Sequence, residues 1–146
     1  MAMHTEELQQ KYYEFQVLNE HVQKIQQQIT LVKKQIEELE RVDSALANAL
    51  SSNKDAKMLC PLGAGIYLKT EIKDSTEVIM GVGAGICVTK SSEEAKGQVE
   101  TQLKEMKDIL AQLENELLVK TKELQIMQRR LQEELHSKDA NSPQNE

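Results

Sequence analysis

The chain has 146 residues, 39% of them apolar, yet it contains no Trp, three Tyr and one Phe. That is too little aromatic area for an ordinary compact core, and too much apolar content for a disordered chain. A net charge of −6 disfavours a protein that binds nucleic acid through clustered Lys and Arg. No apolar run approaches the roughly 18 residues of a membrane span, and the first residues lack a signal-peptide pattern. We therefore expect a soluble, cytoplasmic, non-compact protein that binds neither membrane nor nucleic acid.

Composition divides the chain into three segments and a tail. Residues 5–52 and 91–137 are rich in Gln, Glu, Lys and Leu, whereas residues 57–90 hold five of the six glycines and both cysteines. The polar residues 138–146 are expected to be disordered. The sequence thus predicts a single domain over residues 1–137, with a helix at each end and a β segment between them.

Both helical segments carry apolar residues at alternating spacings of three and four. In the first segment these are Phe15, Leu18, Val22, Ile25, Ile29, Val32, Ile36 and Leu39. In the last they are Val99, Leu103, Met106, Leu110, Leu113, Leu117, Leu124, Met127 and Leu131. A sustained period of 3.5 residues predicts the seam of a left-handed coiled coil. Asp43 and Lys120 interrupt the apolar series, and we expect them to fix the register or to loosen packing locally.

The middle segment contains an internal repeat offset by 20 residues, in which 62–68 (LGAGIYL) aligns with 82–88 (VGAGICV). Glycine adopts positive φ without steric cost, so each Gly-Ala-Gly predicts a hairpin turn. The turn residues are Gly63, Gly65, Gly83 and Gly85. The predicted fold is α+β and mainly α, a long antiparallel two-helix coiled coil with two central β-hairpins. In such a fold residue x faces about residue 146 − x, and both chain ends lie at one tip.

The predicted hairpins have no element of this chain left to cover them, because each helix is committed to the other. Isolated hairpins are marginally stable, and exposed apolar strands require cover or pairing. The strands of a second subunit would provide that cover. The candidate interface residues are apolar side chains of these strands: Ile66, Leu68, Ile79, Ile86 and Val88.

The order of long helix, two hairpins and returning helix resembles the alpha-class prefoldin subunit over residues 5–137. The hairpins are marked by 61–65 (PLGAG) and 81–85 (GVGAG), and the beta class of that family has one hairpin. The resemblance implies a hexamer of two alpha-class and four beta-class subunits, in which the hairpins form a β-barrel platform. It also implies that the coiled-coil tips hold non-native proteins and pass them to a group II chaperonin without ATP.

The predicted tip brings three of the four aromatic residues opposite the apolar end of the last helix. The candidate client-binding residues are Leu8, Tyr12, Tyr13, Phe15, Leu124, Met127, Leu131 and Leu135. Phe15, Met127 and Leu131 can each be explained as ordinary seam packing. Tyr12 and Tyr13 lie off the seam and are expected to be at least partly exposed. Helix ends fray, so seam residues at the tip can also open toward a client.

No motif of the sequence indicates catalysis. The glycine turns lack the third glycine of a dinucleotide loop and the lysine of a phosphate-binding loop. Cys60 and Cys87 lack metal-site or redox spacing, and packing is the favoured interpretation of both. We therefore expect no enzyme activity, no cofactor and no metal. Two functions remain open: an ATP-independent holdase subunit, or a coiled-coil adaptor or scaffold that bridges proteins without handling unfolded clients.

Overall fold

The computed structural model describes the backbone of residues 2–51 and 55–139 and the side chains of residues 5–51 and 55–137. Two long helices enclose four strands in the chain: α1 (Ala2–Ser51), β1 (Ala56–Gly63), β2 (Ile66–Ile72), β3 (Glu77–Gly83), β4 (Ile86–Ser91) and α2 (Ser92–Asp139). This order confirms the predicted fold class of a mainly helical protein with two central hairpins. The expected disordered tail lies outside the described residues from residue 140 onward.

The chain divides into two compact units, which are described separately. The terminal unit comprises residues 1–33 and 108–146, and the hairpin unit comprises residues 34–107. The single domain expected over residues 1–137 stays a prediction.

In the terminal unit, α1 and α2 pack along the apolar seam that the heptad spacing predicts. Val22, Ile25 and Ile29 are buried on α1, and Leu131 is buried on α2. The other seam residues of this unit are half-buried, as expected where each helix has one neighbour: Phe15, Leu18, Val32, Leu110, Leu113, Leu117, Leu124 and Met127. Burial of the aliphatic seam holds the two helices together, since each fully buried Val or Ile contributes roughly 1.5–3 kcal/mol.

Ion pairs across the seam of the terminal unit show that the two helices run antiparallel. Lys11 Nζ lies 2.5 Å from Glu134 Oε1, and Lys33 Nζ lies 3.2 Å from Glu114 Oε1. Both pairs join residues close to the facing positions expected from the sequence. All four side chains are at least two-fifths exposed, so each pair contributes little to stability and mainly favours this register.

The hairpin unit continues the seam between the end of α1 and the start of α2. Ile36, Ala95, Val99 and Leu103 are buried there. Asp43 lies in phase with the seam as a half-buried residue, and its Oδ1 atom is buried without a hydrogen-bond partner among the described residues. A buried, unpaired carboxylate oxygen lowers stability. Asp43 therefore weakens the seam in this unit.

Lys96 is the cation of the hairpin unit that senses the charge of Asp43. Its ammonium lies 3.1 Å from Glu100 Oε1. The hydrogen bond to Glu100 and the charge of Glu100 raise the pKa of Lys96, with a smaller contribution from the charge of Asp43. Lys96 thus favours the ionised form of a carboxylate that the seam would otherwise exclude.

The two hairpins have the same turn, as the 20-residue repeat predicts. In the first, Ala64 and Gly65 connect β1 to β2 with φ of 49° and 77°. In the second, Ala84 and Gly85 connect β3 to β4 with φ of 51° and 74°. Positive φ at both loop residues is the pattern of a type I′ turn, whose twist matches the flanking strands. Each turn thus places an L-residue in the left-handed region.

A short polar linker joins the second hairpin to the start of α2. Asp74 Oδ1 accepts hydrogen bonds from the backbone N–H of Thr76 at 2.9 Å and from its hydroxyl at 2.6 Å. The backbone N–H of Ser92 donates to the Thr76 carbonyl at 2.9 Å, and its hydroxyl donates to the Ser75 carbonyl. Ser92 is buried. The linker is therefore held against the first residue of α2.

The N-terminus of α2 is capped as the sequence 91–94 (SSEE) predicts. The backbone N–H of Glu94 donates to the Ser91 hydroxyl at 3.2 Å, which satisfies one of the free donors of the first turn. Glu93 and Glu94 place negative charge in that turn, where the helix dipole favours it. The helix therefore begins at a defined residue directly after β4.

Candidate interaction surfaces

The hairpins expose most of the side chains that the sequence marks as an interface. Ile66, Leu68, Ile79 and Ile86 are each more than half exposed, and Ile79 reaches 76%. Val88 is half-buried. Exposed aliphatic groups at this density on short strands are typical of surfaces that are covered in an assembly.

Further apolar residues of the hairpins are exposed and were not among the sequence candidates: Met58, Leu59, Leu62, Tyr67 and Val82. Leu59 pairs with Lys69 and Pro61 with Tyr67, whereas Met58 pairs with Thr70 and Cys60 with Leu68. Alternate residues of a strand point to opposite faces. The first hairpin therefore exposes apolar side chains on both faces, a feature that the continuous apolar run at 58–62 could have indicated.

The hairpins also leave backbone groups unpaired. Strand β1 pairs only with β2, and β3 only with β4, so the described strands form two separate two-stranded sheets. Each strand therefore has one edge without a neighbouring strand among the described residues. Such edges can pair with further strands, and their N–H and C=O groups favour that pairing. Cys60 and Cys87, which were expected to pack, are both exposed on these strands.

The second surface is the tip, defined here as residues 8–18 of α1 and 123–135 of α2. Tyr12, Tyr13 and Leu135 are each more than half exposed, and Tyr13 reaches 67%. The ring centroids of Tyr12 and Phe15 are 6.5 Å apart, within the range of favourable aromatic pairs. The tip therefore exposes two aromatic rings, one of them supported by a neighbouring ring.

The remaining tip candidates take part in the seam. Leu131 is 8% exposed, while Leu8, Phe15, Leu124 and Met127 are half-buried. In this conformation these side chains stabilise the coiled coil and offer little free surface. Opening of the seam toward a client stays a prediction.

Ile126 is a tip residue that the sequence analysis missed. It is 54% exposed and lies one residue off the seam, so the heptad pattern gives no signal for it. Together with the seam residues Leu18, Met127 and Leu131 it lines a groove of about 390 Å³, whose other lining residues are charged. Surface grooves of this size are typical of binding sites for side chains.

The described residues offer little to a metal or a membrane. Within 5–51 and 55–137, His, Cys, Asp and Glu side chains do not form a group of three that could hold a metal ion. His21 instead lies 3.2 Å from Glu116, and His136 contacts the carbonyl of Gln132 in its own helix. In the described ranges, neither helix contains an apolar stretch of the length that crosses a bilayer.

Comparisons with known proteins agree with this arrangement. Residues 18–137 match the family model described as prefoldin subunit. The chain is 31% identical to prefoldin subunit alpha of Pyrococcus horikoshii over 91% of its length and 90% of that protein. It is also 31% identical to prefoldin subunit alpha 1 of Thermococcus kodakarensis over 72% of each chain. A solved chain of filamentous PFD from Methanocaldococcus jannaschii has the same fold, with a TM-score of 0.64 at 15% identity, covering 84% of this chain and 98% of that one. The chain therefore belongs to the prefoldin family, as an alpha-class subunit.

Proposed function

We propose that this chain is the alpha-class subunit of an ATP-independent holdase in the cytoplasm. It assembles with beta-class prefoldin subunits, two alpha with four beta, through its hairpins. The tip binds non-native proteins, and the complex passes them to a group II chaperonin. No catalysis, cofactor or metal is involved.

The hairpins support the assembly half of this proposal. They combine unpaired strand edges with apolar side chains that are more than half exposed, such as Ile66 and Ile86. Pairing with strands of other subunits would satisfy the backbone and remove the aliphatic groups from water in one step. A β-barrel platform is the arrangement that closes all such edges.

The exposed apolar side chains of the tip are the observation that carries the holdase half. Tyr12, Tyr13, Ile126 and Leu135 are each more than half exposed, although the seam beside them could accommodate apolar groups. Each contributes on the order of 1.5–3 kcal/mol when a client buries it fully, and less when burial is partial. A few such contacts give weak, reversible binding to any chain that exposes apolar residues, which suits a holdase.

A fourfold substitution at the tip tests this function. Tyr12, Tyr13, Ile126 and Leu135 are replaced with Ser in the full chain, which is then assembled with its partner subunits. We expect the complex to keep its size and to lose most of its ability to suppress aggregation of a denatured client. These side chains are exposed, so their removal should leave the seam intact. Light scattering of the client measures the effect.

A matched control removes four exposed aliphatic residues outside the tip. Leu31, Val42, Ile109 and Leu118 are exposed to a similar degree, and their replacement with Ser should leave protection unchanged. Equal protection by the tip variant and the native complex would contradict the holdase function and favour the adaptor interpretation. Client protection should also be the same with and without ATP.

A further inference from the structure

The charges that line the tip groove are ordered along its length. Lys11 and Arg130 lie at one end of the groove, while Glu14 and Glu123 lie further along α1 and α2. Because the two helices are antiparallel, both acidic residues are displaced in the same direction from the basic pair, by roughly 4–10 Å of helix rise. The groove thus has a basic end and an acidic end, with apolar residues between and beneath them.

The floor of the groove consists of side chains alone. It is lined by residues of α1 and α2, whose backbone groups are bonded within their own helices. An extended segment bound there would leave its N–H and C=O groups without partners over the apolar floor, which costs free energy. A helix satisfies its own backbone and needs only side-chain contacts. The groove therefore favours a helical occupant over an extended one.

The length of the groove fits a short amphipathic helix. Its lining spans residues 11–18 of α1 and 123–131 of α2, about two helical turns on each side. The half-buried Leu18 and Met127 and the exposed Ile126 offer apolar contacts to side chains spaced three or four residues apart. Unfolded chains retain fluctuating helices of this length, so such an occupant is available among non-native proteins.

We propose that the tip groove binds an amphipathic helix whose charges are segregated, with Lys or Arg near Glu14 and Glu123 and Asp or Glu near Lys11 and Arg130. The proposal rests on the holdase function and adds a substrate class to it: helical segments are preferred over extended apolar segments, and segregated charges over mixed ones. The charges of the groove orient the helix, while Ile126 and the seam residues supply apolar contact.

Two synthetic peptides test this preference. Each has 16 residues with the same composition and a Leu stripe at helical spacing. In one, all Lys lie in one half and all Glu in the other; in the second, Lys and Glu alternate along the polar face. Helix content is matched by circular dichroism. We expect the segregated peptide to bind the full-length protein, in its assembled form, about three- to tenfold more tightly by fluorescence anisotropy. High salt should remove this difference.

Substitutions in the groove assign the preference to its charges. Replacing Glu14 and Glu123 with Lys should abolish the preference, and replacing both with Gln should reduce it without adding repulsion. Adding Lys11→Glu and Arg130→Glu to the Lys variant reverses the polarity of the groove. This fourfold variant should recover the preference, because the peptide can bind in the opposite direction.

The possible outcomes separate this inference from the holdase function. Equal binding of the two peptides, or a preference that survives Glu14→Lys with Glu123→Lys, overturns the charge-segregated groove. Failure of both peptides to bind overturns it as well. In each case the holdase function stands if the tip Ser variant loses client protection. If that variant still protects clients, the holdase function fails irrespective of the peptide results.

Discussion

The hairpin strands and the tip both expose apolar side chains, but in different settings. On the strands, Leu59 and Leu68 project from opposite faces of one hairpin, and the backbone beside them is unpaired. At the tip, Tyr13 and Ile126 project from helices whose backbone is fully bonded, and charged residues surround the groove. The strands can therefore offer a partner both hydrogen bonds and apolar area, whereas the tip offers side chains only.

This difference separates a permanent interface from a reversible one. Strand pairing adds a ladder of directional hydrogen bonds to apolar burial, and it fixes a register. Side-chain contact on a helix surface fixes neither backbone register nor partner sequence, so it suits many partners at low affinity. Breaking the first surface should eliminate the complex, while changes elsewhere should adjust its stability.

The largest effect is expected from charges placed in the hairpin interface. Ile66 and Ile86 occupy equivalent positions of the 20-residue repeat, and both are exposed in the isolated chain. Replacing both with Asp would bury unpaired carboxylates on assembly, which costs several kcal/mol each. We expect the double variant to lose its partner subunits completely on a sizing column and to keep its helix content by circular dichroism.

The control for this variant is Lys73→Asp, which places a carboxylate in the exposed linker between the hairpins. It should assemble normally. An unchanged complex with both Asp substitutions present would locate the interface outside the hairpins. The two single variants show whether the hairpins contribute equally.

A smaller effect of opposite sign is expected from Asp43→Leu. The buried Oδ1 of Asp43 has no hydrogen-bond partner among the described residues, and its charge lies in the seam. A leucine restores the apolar series and should raise the free energy of unfolding by about 1–3 kcal/mol. Thermal unfolding of the complex measures this. Glu38→Leu, on the exposed face of the same helix, should change stability by less than about 0.5 kcal/mol; equal effects of the two substitutions would argue against a specific cost at Asp43.

The smallest effect is expected from the hairpin turns. Ala64 and Ala84 have φ of 49° and 51°, where an L-residue other than Asn or Asp is strained. Asn is favoured before Gly in type I′ turns, so Ala64→Asn and Ala84→Asn should each stabilise their hairpin by about 0.5–1 kcal/mol. Slower amide hydrogen exchange in β1–β4 would show it. Gly65→Ala, at a φ of 77°, should have the opposite effect, and faster exchange in the Asn variants would contradict this account.

The helices and hairpins could be predicted from the sequence because their signals are periodic. Ile25 is 2% exposed, as a residue in a 3.5-residue series requires, and the repeated Gly-Ala-Gly marks both turns. The groove could not be predicted, since Ile126 lies off the seam and its charged neighbours are brought together only by pairing of the helices. Leu135 shows the same limit: Glu134 takes the inward position and binds Lys11, which leaves Leu135 in solvent.

The contacts between Ser92 and the linker also bear on the order of events during assembly. They join residues at most 17 positions apart, and every pair of the β3–β4 ladder is closer in the chain than that. Closing such short loops takes well under a microsecond, and hairpins form within about 10 μs. Encounters between subunits at cellular concentrations are far slower. The second hairpin therefore folds before a partner arrives, and the rate of assembly is set by collision between preformed edges, so it should rise in proportion to subunit concentration.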